Sequence, residues 1–313
     1  MKIWKVLFIG IGSIAKRHIK NLSFLMEQRK EGLQIDAFRS SIGKPLSEDI
    51  RKFLTEIYYS EETVPDNYDV IFVTNPTQMH LQAIEMFSAK GEHFFIEKPL
   101  CTMEQLKNLK INACSNNVYY VASPLRYSSV IQYVKTHISP EDVLAIRCIS
   151  SSYLPEWRSG VDYRKTYSAH KKLGGGVSID LIHEWDYITY LFGIPAKVDK
   201  YIRKISELEI DSDDIAIYIA DFGHMLAEVH VDYVGRSPVR QMEIITKYDT
   251  IVCDLIESSV RYRKSGQYMA FGQERDGYQL EELKYFWSLI DTKTYGNENI
   301  EHACKVLKIA GEV

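Results

Sequence analysis

At 313 residues the chain exceeds what a single hydrophobic core usually serves, so two domains are expected. Its 45% hydrophobic and 26% charged residues exclude disordered, collagenous and fibrous classes, and a net charge of -4 gives no support for a basic protein that wraps nucleic acid. The five cysteines, Cys101, Cys114, Cys148, Cys253 and Cys304, are scattered and form no C-x-x-C pair, which argues against a disulfide framework and a zinc site and fits a reducing cytoplasm. MKIWKVLFIG at the N-terminus holds one short apolar run that meets glycine at once, too short for a signal peptide or a membrane span.

KVLFIG (5–10) reads as a strand buried on both faces of a parallel sheet. Residues 13–30 follow as a helix with Ile14, Ile19, Leu22 and Leu25 on one stripe, and Gly32 is expected as its left-handed end. The alternation continues with strand 33–39, helix 46–54, a short strand near Tyr58, strand 69–74, helix 77–90, strand 93–97, helix 102–116 and strand 118–123. Strands alternating with helices in this way predict βαβ units and a doubly wound parallel sheet over 1–122.

Gly10, Gly12 and Ala15 form G-x-G-x-x-A between the first strand and the first helix. One glycine makes the turn, the next lets a pyrophosphate approach the backbone, and the free N–H groups around Ser13 and Ile14 face the phosphates. This is the pattern of a dinucleotide site. The second strand ends Phe38-Arg39-Ser40-Ser41, without the acid that binds the ribose hydroxyls of NAD. Asp36 falls inside the strand, where a surface-facing or edge role is expected. Arg39 with Ser40 suits a 2′-phosphate, so NADP is preferred over NAD, although an arginine also stacks on adenine without a phosphate.

TNPTQMH (74–80) and EKPL (97–100) lie just past the carboxyl ends of two further strands, the edge at which open parallel sheets bind ligands. GGGVSIDLIHEWDY (174–187) adds three glycines and a helix-like run with Asp180, His183, Glu184 and Asp186. Together with the first glycine turn, these stretches resemble the Gfo/Idh/MocA family of glucose-fructose oxidoreductase and inositol dehydrogenase, over nearly the whole chain. The resemblance implies that Lys98 faces the nicotinamide and the reacting carbon, with Pro99 after a cis bond. It also implies that Thr74, Asn75, Pro76, His80 and Glu97 line the cofactor. A lysine at the mouth of an apolar cleft loses solvation, and its pKa can fall to where it exchanges protons with an alcohol. His18, in the first helix, reads as structural.

The family stretch runs GGG, three residues, Asp, three residues, His; here Asp180 keeps its place, His183 comes one position early and Glu184 takes the histidine's spacing. On one continuous helix Asp180, His183, Glu184 and Tyr187 share a face, with Leu181, Trp185, Ile188 and Phe192 on a separate stripe. The glycines would let the backbone pass close to a cofactor or substrate. Asp180 would orient His183, which serves with Lys98 in removing the hydroxyl proton. Which of His183 and Glu184 touches substrate stays open.

From 123 to 313 the pattern changes to strands at 143–153, 214–222, 225–234, 239–246 and 250–255 with short turns, predicting an α+β domain with one large, mostly antiparallel sheet. Relatives with this arrangement pack such sheets together, so the resemblance implies a homodimer or homotetramer. SSYLPEWRSGVDYRKTYSAHKK (151–172) combines Trp157 and Tyr163 with Arg158 and Arg164 and a local excess of about three positive charges. Aromatic faces stack on sugars and arginine forks grip anions, so a sugar-like, anionic substrate competes with a solvated basic loop. By resemblance Arg126 is a further substrate candidate. The expected activity is an NAD(P)-dependent oxidation or reduction of a sugar, sugar acid, nucleotide sugar or cyclitol, with no nucleic-acid or membrane partner. A non-catalytic cofactor sensor or transcriptional co-regulator is the alternative, and cofactor-linked glycosidic cleavage a third reading.

Overall fold

The computed structural model describes residues 2–43, 45–109, 116–273, 275–296 and 298–312. Two compact units emerge, one of residues 1–122 with 279–304 and one of 123–278 with 305–313. Residues 279–304 group with the first unit, although the strand and helix pattern of the first 122 residues contains no hint of them.

In the first unit β1 (Ile3–Ile9), β2 (Gly32–Phe38), β3 (Leu54–Tyr58), β4 (Tyr68–Val73), β5 (Gly91–Ile96) and β6 (Tyr119–Val121) form one parallel sheet in the order β3-β2-β1-β4-β5-β6. The strand order reverses at β1, so the crevice for a ligand lies at the carboxyl ends of β1 and its neighbours. Helices α1 (Ser13–Arg29), α2 (Glu48–Arg51), α3 (His80–Phe87) and α4 (Met103–Leu106) connect the strands. The predicted helix 77–90 is a 3-10 turn over Thr77–Met79 followed by α3. Of the predicted helix 102–116, α4 is seen, and residues 110–115, with Cys114, lie outside the described residues.

Stacked Phe8, Phe72 and Phe95, with ring centroids 4.5 and 4.9 Å apart, run through the core. Phe286 and Trp287 of the helix Arg275–Asp291 pack on them. Two expectations are corrected here. The left-handed end of α1 is Lys30 (φ 56), and Gly32 already starts β2, where its missing side chain admits Ile3. Asp36 is neither at the surface nor at an edge. It is buried and accepts from the Tyr68 hydroxyl at 2.8 Å and the Glu56 amide at 3.1 Å.

The second unit carries α5 (Ser129–His137), β7 (Val143–Ser151), α6 (Val177–Asp180), α7 (His183–Phe192), β8 (Lys197–Arg203), β9 (Ile215–Asp221), β10 (Leu226–Asp232), β11 (Val239–Thr246), β12 (Thr250–Asp254), β13 (Ser259–Tyr262) and β14 (Tyr268–Ala270). Its sheet runs β14-β13-β12-β11-β7-β10-β9-β8, antiparallel except where β10 pairs with β7. Strict alternation in β9 buries Ala216, Tyr218 and Ala220 and turns Ile217 and Ile219 outward. The face they occupy also exposes Tyr201, Leu226 and Ile149, beside the charged Arg147, Glu228 and Glu243.

Candidate functional site

In the first unit the glycine turn follows β1 as expected. Gly10 takes φ +82, and a Cβ there would stand 3.0 Å from the Asn75 Cα, so the loops after β1 and β4 touch through the missing side chain. Gly12 is the N-cap of α1 with no side-chain cap and no acid in the first turn, and a Cβ placed on it would meet nothing within 4 Å. Backbone N–H groups of Ser13 and Ile14 are thereby left at the positive end of a 17-residue helix. Ala15 is fully buried and lets helix and strand close together. These features fit a dinucleotide's pyrophosphate, since the cradle is open, uncapped and without opposing charge.

Thr74 ties the same edge. Its hydroxyl donates to the Ile9 carbonyl at 3.0 Å and the Gly10 carbonyl at 2.8 Å. Pro76 precedes the 3-10 turn, and Lys98 and Pro99, joined by a cis peptide bond, follow Glu97 at the end of β5. Lys98 is half-buried. At the end of β2 stand Arg39, whose backbone N–H donates to the Tyr58 carbonyl, and exposed Ser40. The strand's own acid, Asp36, is consumed in the core, so no carboxylate of β2 reaches that end.

The His80 ring faces backbone. It is 1% exposed, with Nδ1 3.0 Å from the Pro99 carbonyl and Nε2 2.9 Å from the Asn75 carbonyl. The neutral ring carries one N–H and donates to one of the two carbonyls, which sets the residue between the loop after β4 and the loop after β5. Burial pushes its pKa down, against the opposing pull of those carbonyls and of Glu97.

In the second unit two of the three glycines stand tight against protein. A Cβ on Gly175 would lie 2.1 Å from the Tyr167 carbonyl oxygen, and one on Gly176, at φ +130, would lie 2.1 Å from Asp213 Oδ1. Asp213 also accepts from the Ser178 amide at 2.8 Å, capping α6. The run that follows is two helices. Leu181, at φ -98 and ψ 32, interrupts it between α6 and α7, so a single wheel does not describe the stretch.

Asp180, at the end of α6, accepts a 2.6 Å hydrogen bond from the Tyr233 hydroxyl and another from Tyr167. Burial and the Asp180 charge drive the Tyr233 pKa well up; for Tyr167 the Asp180 charge comes first and burial second. Both phenols therefore stay donors. Trp157 packs edge-on against Tyr233 at 5.1 Å and donates its indole N–H to Ser152 Oγ at 2.9 Å, while the Arg158 guanidinium lies over the Tyr167 ring at 5.7 Å. The sequence offers Tyr167 only as one of the aromatics of 151–172. Tyr233 reads as an ordinary strand residue, and the aromatic enrichment of 151–172 is the only local signal for Tyr167.

Glu184 is corrected from a substrate candidate to a core residue. It is 0% exposed, with Oε1 2.8 Å from Arg240 Nε on β11. Burial pushes its pKa up, opposed by that guanidinium. His183, Asp186 and Tyr190 form the less buried face of α7. Arg126 grips Asp186 through Nε at 2.9 Å and Nη2 at 2.6 Å. Arg164 is exposed and held by Asp162 and Glu209, and the Tyr163 hydroxyl accepts from the Glu209 amide. The positive excess of 151–172 is thus partly neutralised by acids at close range.

Residues 4–123 match the family model described as an oxidoreductase family with an NAD-binding Rossmann fold. An uncharacterized oxidoreductase of Bacillus subtilis, YrbE, is 24% identical over 59% of this chain and 52% of that protein, so the chain spans about half the length of this curated relative. Among solved structures, levoglucosan dehydrogenase in complex with NADH superposes with a TM-score of 0.83 at 17% identity, covering 99% of this chain and 95% of that one. The UDP-N-acetylglucosamine 3-dehydrogenase of Acidithiobacillus ferrooxidans (TM-score 0.77, 18% identity, 99% and 96% covered) and myo-inositol 2-dehydrogenase of Lactobacillus plantarum (0.77, 17%, 99% and 95%) share the same fold. Among the described residues no helix is long and apolar enough to cross a membrane. The glycine turn and the E-K-P strand end thus lie within residues 4–123, the part of the chain that matches the Gfo/Idh/MocA oxidoreductase family with its NAD-binding Rossmann fold.

Proposed function

We propose that the protein is an NAD(P)-dependent dehydrogenase that moves a hydride between the nicotinamide and a secondary alcohol or carbonyl carbon of a sugar-like substrate. One observation carries this reading: Lys98 ends β5 on the sheet edge where Gly10 ends β1, with only β4 between them. At about 4.8 Å per strand, an amine there lies about 10 Å from the phosphate cradle, within reach of the nicotinamide half of a dinucleotide. The cofactor when bound supplies the hydride chemistry. Gly10, Gly12, Ser13 and Ile14 hold its pyrophosphate, and Thr74, Asn75 and Pro76 shape the loop beside it. Lys98 exchanges the hydroxyl proton. Within the second unit Asp180 and His183 are the acid-base candidates, and Trp157 and Arg158 offer a stacking face and a cation to a sugar or sugar acid.

Arg39 and Ser40 favour NADP. In a fluorescence titration NADPH is expected to bind more tightly than NADH, and Arg39→Ala to weaken NADPH by about ten- to a hundredfold, the loss of one bidentate charged contact, while NADH changes little. Equal affinities in the wild type would remove the 2′-phosphate reading. Screening neutral and anionic sugars for absorbance change at the nicotinamide band then tests the activity; cofactor binding without turnover across that panel would favour a sensor.

The exposed face of the second sheet supports self-association. Light scattering is expected to give a dimer or tetramer, and Ile219→Arg, which plants a charge on that face, to give monomers. A monomeric wild type at micromolar concentration would end this part of the proposal.

A further inference from the structure

We propose that His18 is a positioning residue for Lys98, acting through Glu97; this rests on the reading of Lys98 as the group that exchanges the substrate proton. His18 is 1% exposed, wedged against Phe95 at 5.0 Å and Phe72 at 5.8 Å between ring centroids. Its Nε2 lies 2.5 Å from Glu97 Oε1, while its Nδ1 has no hydrogen-bond partner among the described residues. The tautomer with hydrogen on Nε2 leaves no buried donor unpaired, so His18 donates and Glu97 accepts.

The other carboxylate oxygen, Oε2, accepts the Lys98 backbone N–H at 3.2 Å. One carboxylate is therefore fixed at both ends, by a helix residue 79 positions earlier and by the lysine itself. Burial pushes the Glu97 carboxyl up, but the His18 hydrogen bond, with the neighbouring Lys98 charge, outweighs burial and holds it below its ordinary range. The groups facing it are thus His18 from α1, His80 from α3 and Lys98 from its own strand end. Attraction between carboxylate and ammonium is reciprocal, so an ionised Glu97 favours the protonated lysine. Without the His18 hydrogen bond the largest influence opposing burial is gone, so Glu97 binds a proton more readily and Lys98 is expected to surrender its own at lower pH.

Competitive acetylation with acetic anhydride across pH, read on the Lys98 peptide by mass spectrometry, measures this in the absence of substrate. His18→Phe keeps the ring packing and Glu97→Gln keeps the shape. Each is expected to move the half-point of Lys98 modification down by about one pH unit, with the matching limb of the kcat/KM profile following it. The double variant is expected to move no further than Glu97→Gln alone, because His18 acts through that carboxylate. An unmoved half-point in folded His18→Phe, or a second full shift in the double variant, overturns the proposal. Should His18→Phe not fold, His18→Asn, which retains an N–H donor, is expected to keep the wild-type half-point, and an unmoved half-point in Glu97→Gln is decisive against. Labelling shifts in a protein inactive towards every sugar would refute the dehydrogenase reading and leave the His18 proposal standing.

Discussion

Lys98→Ala is expected to lower kcat/KM with the best sugar substrate by about a thousandfold, within the range over which a positioned acid or base contributes, while NADPH and NADH still bind. The expectation follows from the division of labour at the sheet edge. The pyrophosphate cradle is built from Gly10, Gly12 and the uncapped start of α1, and none of it depends on the Lys98 side chain. Lys98→Arg separates charge from proton exchange. An arginine keeps the cation but cannot give up its proton near neutral pH, so it is expected to be as impaired as alanine. Steady-state kinetics beside fluorescence binding decide the matter; turnover surviving in the alanine variant would remove the proposed acid-base group.

Arg240→Met is expected to destabilise the protein by about 3–5 kcal/mol, the cost of leaving a buried charge without its partner. Glu184 has no exposed surface, and Arg240 lies 2.8 Å from it. The pH dependence has a definite sign. Burial already raises the Glu184 pKa, with Arg240 opposing it, so the variant raises it further. Between the unfolded and folded pKa values the native state then binds more protons than the unfolded state, and stability falls as pH rises. The deficit against wild type should be largest at neutral pH and shrink on acidification towards the ordinary carboxyl range. Denaturant melts at several pH values read it directly, and Glu184→Gln with Arg240→Met should recover much of the loss. A pH-independent deficit would mean that packing, not charge, holds the pair.

Neither of those two residues announces its role in the same way. The place of Lys98 just past a strand end could be read from the sequence because its neighbours are local: a buried strand before it, a proline after it, and a glycine turn that opens the same series of βαβ units. Arg240 could not, because its partner stands 56 positions away on another element. The same distinction separates the other outcomes. The period-two strands and the glycine turn were legible because alternation and turn chemistry are properties of a few adjacent residues. Other expectations depended on an environment that the sequence does not show. Glu184 was placed on a face by counting 100° per residue, but Leu181 interrupts the helix and the count does not carry across it. The resemblance places His80 beside the cofactor, and only the fold shows its ring lying between two backbone carbonyls. The triple glycine was read as room for a ligand, and the room is filled by Tyr167 and Asp213.

The amino-acid sequence by itself determined the parallel sheet, the dinucleotide cradle and the position of Lys98 at a strand end, since hydrophobic period, glycine and proline act over a turn or two of chain. Tertiary structure alone decided which polar groups are spent on the protein: Glu184 on Arg240, Asp36 on Tyr68, Asp180 on Tyr233, and Glu97 on His18. A carboxylate withdrawn from water must be met by a donor or a cation. The chain brings that partner from tens of residues away only when it folds.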